Sequence, residues 1–357
     1  MSEQITIHPS RLSAFGSAED SVFCLITNPE IADQIAIAHD APYRDFLTVL
    51  LGAGDDFDDV LTRQVPEEAH VVVVSPIHFF ISPEPEVLGP RRKLMALACN
   101  STPTTLEDIR HFVDVTERTS AAEQDAFCER FFELAESTDQ LIYVDERHGT
   151  RATLDHLRDD LVWNQQAGSL DWGDQQLVPA GEISVLPIGI FDFDEHLHLP
   201  LEGEIAFRGY PILHGGKMSF TREDQVRIQR ELWPMEDYAV VATVEKGRMT
   251  ALRPFQPEAK PLVRMLEAMF LVDSRYELVW EIGHAMNTAL EILPGNHAMN
   301  ETYGSTHGCL HFGLGITPYT QYHLDIVAPD MTVYTDAGDV VLGIKGGSPV
   351  DRLAVRA

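Results

Sequence analysis

Residues 69–74 read Ala-His-Val-Val-Val-Val and stop at Ser75-Pro76. A β-branched run closed by a Ser-Pro break makes a strand, and the segments on either side fall into an alternating pattern. Upstream, 21–27 (SVFCLIT) reads as a second buried strand, followed by an amphipathic segment over 31–38. The stretch 45–52 (DFLTVLLG) fits a strand or a core helix. Downstream, 91–98, 105–117 and 121–136 carry helical patterns, the second opened by a Thr-x-x-Asp type of cap between Thr104 and Asp108. Strands alternating with helices predict an α/β domain with a mainly parallel sheet over residues 1–138.

Near Asp139 the pattern changes. Short β-like runs follow at 140–144, 150–154, 182–186, 203–207, 238–244, 331–334 and 340–344, separated by Gly- and Pro-containing turns. One helix stands among them, 261–271, with Leu262, Met265, Leu266, Met269 and Phe270 at helical spacing. The expected second domain is therefore a β-rich α+β unit over 139–357.

Composition narrows the function. The chain has 357 residues, 44% of them apolar, enough for a sizeable core. Its 26 Lys and Arg face 56 Asp and Glu, a formal charge of −30. Such a chain lacks the clustered cations that phosphate backbones or anionic membranes require. Four scattered cysteines without a CxxC pair suit reduced thiols, and no secretory leader or membrane span is read. The expectation is a cytoplasmic protein without nucleic-acid or membrane partners. Neither a GxSxG elbow, a GxxxxGK[ST] loop nor a GxGxxG turn is present.

Metal-competent side chains crowd between residues 281 and 325. WEIGHAMN supplies Glu281 and His284, THGCLHFGLG supplies His307 and His311, and YHLDIV supplies His323 and Asp325. Residues two apart on a strand share a face, so His323 and Asp325 point together. One imidazole from a neighbouring strand, His311, completes a two-His, one-carboxylate set that leaves open positions and suits Fe(II). With further carboxylates the set suits Zn(II) or Mn(II) acting on water. Glu182, in the turn Pro179-Ala180-Gly181-Glu182, is either a solvated strand-end acid or part of this site. The run FDFDEHLH (191–198) reads as an exposed strand edge rather than a second metal site. His284 and His307 are read as substrate-contacting, orienting or surface residues, and Cys309 as a packed thiol.

The order VPAGE, EIGxxxN, GCLHFGLG and YHLDIV resembles the leucyl aminopeptidase family (aminopeptidase T, thermophilic metallopeptidases) and the related 2,5-dihydroxypyridine 5,6-dioxygenase scaffold. GTRATL (149–154) resembles the strand that opens the family's C-terminal domain, and the likeness runs over residues 139–345. It implies metal-ligand roles for Glu182, Glu281, His311, His323 and Asp325. Two departures separate this chain from the peptidases. Thr306 stands where they carry a further acid, and only eleven residues separate His311 from His323. Their catalytic Tyr has an offset counterpart in Tyr319. These departures favour one divalent ion, Fe(II) ahead of Zn(II) or Mn(II), held by His311, His323 and Asp325, with Glu281 and Glu182 as catalytic acids or bases. The expected protein is an oxygenase or hydrolase acting on a small aromatic or peptide substrate, possible as a homodimer. The alternative is a retired scaffold that binds a peptide as an accessory to its modification.

Overall fold

A computed structural model describes residues 4–18, 20–189, 197–217, 219–316 and 319–344. The chain divides into two compact units, Met1–Ala126 with Gln166–Ala180, and Phe127–Gln165 with Gly181–Ala357. The first is α/β with a parallel sheet and the second is rich in antiparallel sheet, as the patterning predicts.

The first unit is built on five parallel strands in the order Gln175–Val178, Arg92–Leu97, Ala69–Val74, Val22–Thr27, Asp45–Leu50. The three middle strands are buried at every position, the signature of strands covered on both faces. Leu106–Arg118 is capped by Thr105 and Asp108 in a reciprocal box, one residue inside the predicted start. Of the two forms open to residues 45–52, the strand is the one formed, over Asp45–Leu50. Two local readings change, the first being the amphipathic 31–38 stretch, which becomes a short turn and the strand Ile35–Ile37. The helix expected over 91–98 is also a strand. Its Arg-Lys-Leu-Met-Ala-Leu sequence favours helix locally, but tertiary partners override that preference. The Arg92 guanidinium donates to the carbonyls of Val65, Pro66 and Leu88, and Lys93 Nζ donates to that of Phe15. Both cations are thereby accommodated in a strand covered on two sides.

The second unit has two sheets. Seven strands run in the order Arg248–Pro254, Val240–Glu245, Leu201–Phe207, Thr150–Leu154, Leu141–Asp145, Thr332–Tyr334, Val340–Leu342. Six run in the order Tyr210–Gly215, Tyr322–Ala328, Cys309–Leu314, Val279–Ala285, Glu182–Pro187, Leu161–Gln166. Phe207 of the first sheet meets Phe312 of the second edge to face, with ring centroids 5.9 Å apart. The helix expected over 261–271 is Lys260–Val272. A helix at Arg222–Leu232, capped by Thr221, was not anticipated; its Gln225 side chain donates to the Leu213 carbonyl at the edge of the six-stranded sheet. Among the described residues, no helix is long and apolar enough to cross a membrane. The four cysteines are buried thiols.

Candidate metal centre

The register of the six-stranded sheet assembles the site. His323 and Asp325 lie two apart on one strand and share a face. His214 stands opposite His323 on one neighbouring strand, and Gly313 stands opposite Asp325 on the other. One strand further, Glu281 is opposite Gly313 and Gly283 is opposite His311. Glu182 is opposite Ala285, two residues on from Gly283. One face of the sheet thus carries His214, His323, Asp325, His311, Glu281 and Glu182. Glu301 joins them from the turn Ala298–Thr302.

The two glycines make the room. A Cβ on Gly283 would lie 2.0–2.6 Å from atoms of the His311 ring. On Gly313 it would lie 2.8 Å from Glu281 Cβ and 2.9 Å from His323 Cε1. Both imidazoles therefore rest where only bare backbone leaves space. Their orientation is fixed from behind: His311 Nδ1 pairs with the Glu301 carbonyl at 3.2 Å and His323 Nδ1 with that of Gly315 at 2.9 Å. A ring tied at Nδ1 to a carbonyl presents Nε2 as the ligand atom.

Those Nε2 atoms face carboxylates. His323 Nε2 is 2.9 Å from Asp325 Oδ1 and 3.5 Å from Glu281 Oε2, while His311 Nε2 is 3.4 Å from Glu182 Oε1. His214 Nε2 lies 3.0 Å from Asp325 Oδ2 and 3.1 Å from Glu301 Oε2. Three close groups result: Glu281, His323 and Asp325; Glu182, Glu281 and His311; His214, Glu301 and Asp325. The predicted triad is regrouped, because His311 closes on Glu182 and Glu281 while Glu281 completes the set around His323 and Asp325.

This donor set fits a divalent ion. Two ligand atoms at about 2.1 Å from one ion and at right angles stand about 3.0 Å apart, close to the 2.9 Å between His323 Nε2 and Asp325 Oδ1. Asp325 Oδ1 is buried, and among the described residues no hydrogen-bond donor is aligned on it. Nitrogen and oxygen donors without thiolate suit Fe, Mn, Co or Zn.

The electrostatics are those of an acid-rich enclosure. Burial disfavours the imidazolium of His311, but Glu182, with Asp325 and Glu281 beyond it, carries its pKa up to about 10. Burial likewise opposes charge on His214, which Asp325 and Glu301 nevertheless raise to about 9. Burial raises the Glu182 pKa to about 7 against the pull of His311. Despite burial, His323 holds the Glu281 carboxyl below its usual range, and His323 with His214 holds Asp325 lower still. A cation entering this enclosure competes with protons.

Other expected residues stand apart. His284 shares a strand with Glu281 but points to the opposite face. It is fully buried among Phe131 and Trp163, its Nδ1–H donating to the Ile183 carbonyl and its Nε2 accepting from the Tyr143 hydroxyl. That corrects its reading as a substrate contact. His307 is exposed, its Nδ1 paired with the Thr306 hydroxyl. Tyr319 packs on Leu278, Trp280 and Ile316, and its carbonyl accepts from Arg275. Residues 191–196 of the FDFDEHLH run lie outside the described residues. His214 and Glu301 went unanticipated. The first ends an apolar strand before Gly215-Gly216, a weak signal; the second sits in a turn with none. A further close group, Asp145, His148 and Asp330, is tied up internally, since Arg147 and Arg208 both pair with Asp330.

No family model matches this chain, and no curated protein matches it by sequence. The likeness to the 2,5-dihydroxypyridine dioxygenase scaffold expected from the motif order holds for the fold. Among solved structures it is similar to 2,5-dihydroxypyridine dioxygenase from Pseudomonas putida KT2440, with 14% identity and a TM-score of 0.50. The match covers 93% of this chain and 94% of that one.

Proposed function

We propose that this protein is a metal-dependent enzyme with one ion per chain, a non-haem Fe(II) oxygenase acting on a small, electron-rich aromatic substrate. The observation carrying the reading is the group of His323, Asp325 and Glu281, with its buried Asp325 Oδ1 standing 2.9 Å from His323 Nε2 and its glycine-floored imidazole. The likeness of fold to a dioxygenase favours oxygen chemistry over amide hydrolysis.

An Fe(II) ion held by these three residues supplies open positions and electron-transfer chemistry toward dioxygen. The remaining work falls to the chain itself. Glu182, with a pKa near 7, takes the proton from an ionising substrate hydroxyl and returns one later. His311 beside it keeps the carboxylate oriented and offsets its charge.

Oxygen uptake by protein loaded with Fe(II) tests the reading, using hydroxylated aromatic rings as substrates. Substrate-dependent uptake that disappears in His323→Ala, with cooperative unfolding retained, is expected. Uptake equal in both proteins, or hydrolysis of peptides in its place, contradicts it.

A further inference from the structure

We infer that Glu301, from its turn, and His214, from the neighbouring strand, form a positioning clamp that grips the two halves of the metal centre. The inference rests on the metal reading above and concerns residues that orient ligands, not the ligands themselves.

Glu301 reaches the site twice. Its backbone carbonyl receives His311 Nδ1 at 3.2 Å, and its carboxylate stands 3.1 Å from His214 Nε2. The same His214 atom is 3.0 Å from Asp325 Oδ2, while Asp325 Oδ1 faces His323. The two oxygens of Asp325 are thus divided, one to the clamp and one to the ligand side. His214 and His323 sit directly opposite on adjacent strands, with rings 5.9 Å apart, so strand pairing sets the spacing of clamp and ligand. A carboxylate held at one oxygen presents the other in a fixed direction, which is how outer partners tune a metal ligand.

The arrangement has separable halves. Glu301→Gln keeps the carbonyl behind His311 but weakens the grip on His214. His214→Ala releases Asp325 while leaving His323 and Glu281 in place. His214→Gln restores a donor near Asp325 and serves as the conservative variant.

Co(II) is the probe, titrated into metal-free full-length protein and followed by calorimetry and its visible absorption bands. The wild-type protein should bind one equivalent. His214→Ala should bind one equivalent about 10–100-fold more weakly, with shifted bands. Glu301→Gln should show a smaller loss, and His214→Gln should recover much of the affinity and the wild-type spectrum. Unchanged affinity and spectra in His214→Ala and Glu301→Gln, beside normal wild-type binding, would overturn the clamp and leave the metal reading standing. A drop from two equivalents to one in His214→Ala would also overturn it, making His214 a ligand. If wild-type protein binds no Co(II), the metal reading itself falls, and the clamp with it.

Discussion

Both units bury polar groups at the ends or on the faces of their sheets, yet they treat them in opposite ways. In the parallel sheet, Asn28 lies just past the Val22–Thr27 strand, where the strand order turns from one neighbour to the other. Open α/β sheets commonly bind ligands at such a point. Here Asn28 fills it: its amide donates to the Leu51 carbonyl and the Ser75 hydroxyl, and its oxygen accepts from Ile77 N–H. Ser75 in turn donates to the His78 carbonyl. Donors and acceptors balance across this network. On the antiparallel sheet, four carboxylates meet three imidazoles and the acceptors outnumber the donors. A satisfied network holds a fold together, whereas a surplus of one charge on a fixed frame awaits a ligand.

The largest effect should come from the surplus side. Asp325→Asn should weaken Co(II) binding by more than about 100-fold, beyond the range of residues that only orient ligands, with cooperative unfolding retained. Co(II) titration beside thermal unfolding measures both. Retained affinity would remove Asp325 from the centre.

The glycine floor comes next. Gly283→Ala drives a methyl into the His311 ring and should cost about 1–3 kcal/mol of stability, as overpacking does, while displacing His311 from Glu182. Urea unfolding of the metal-free protein reads the first effect, and the Co(II) spectrum reads the second. A variant indistinguishable from wild type would show that the floor is not needed.

On the balanced side, Asn28→Ala strands two buried acceptors and the Ile77 N–H and should cost about 1–3 kcal/mol. Metal binding should not change. A loss of Co(II) affinity in this variant would break the contrast between the two regions.

The last contrast is one of sign rather than size. Burial, with the Lys93 charge, lowers the His70 pKa to about 3, so this residue is neutral when folded. Its contribution to stability is fully present above pH of about 6.5 and is lost as pH falls toward 3, at up to about 1.4 kcal/mol per pH unit. His311 in metal-free protein behaves oppositely, because its folded pKa is raised to about 10. Its contribution is full below pH of about 6.5 and is lost as pH rises through that value toward 10. Unfolding of His70→Gln and His311→Gln between about pH 5 and 9 should diverge from wild type with opposite slopes. Parallel slopes would contradict the assigned charge states.

Much of this architecture was legible in the sequence, and the gaps have physical causes. Continuous apolar runs such as VFCLIT and AHVVVV exposed the parallel sheet, because a strand covered on both faces needs no alternation. The Arg92–Leu97 strand was hidden, since its cations are satisfied mostly by carbonyls distant in sequence, those of Val65, Pro66 and Phe15. His323 and Asp325 were readable because a strand's period places them together. Their partners were less so: antiparallel register alone decides that Glu281 and not His311 joins them, and that His214 faces His323. Glu301 belongs to a turn, where no periodicity points to a side chain's direction. His284, three residues on from Glu281, shows the converse, as an odd number of steps along a strand moved it into the core.

The central claim is that the six-stranded sheet carries a centre for a single divalent ion. Its most direct test is elemental analysis of the full-length protein, purified without oxygen and thoroughly desalted. One equivalent of iron per chain, lost in Asp325→Asn, is the predicted result. Two equivalents, or none with no uptake on adding Fe(II), Mn(II) or Zn(II), would contradict it.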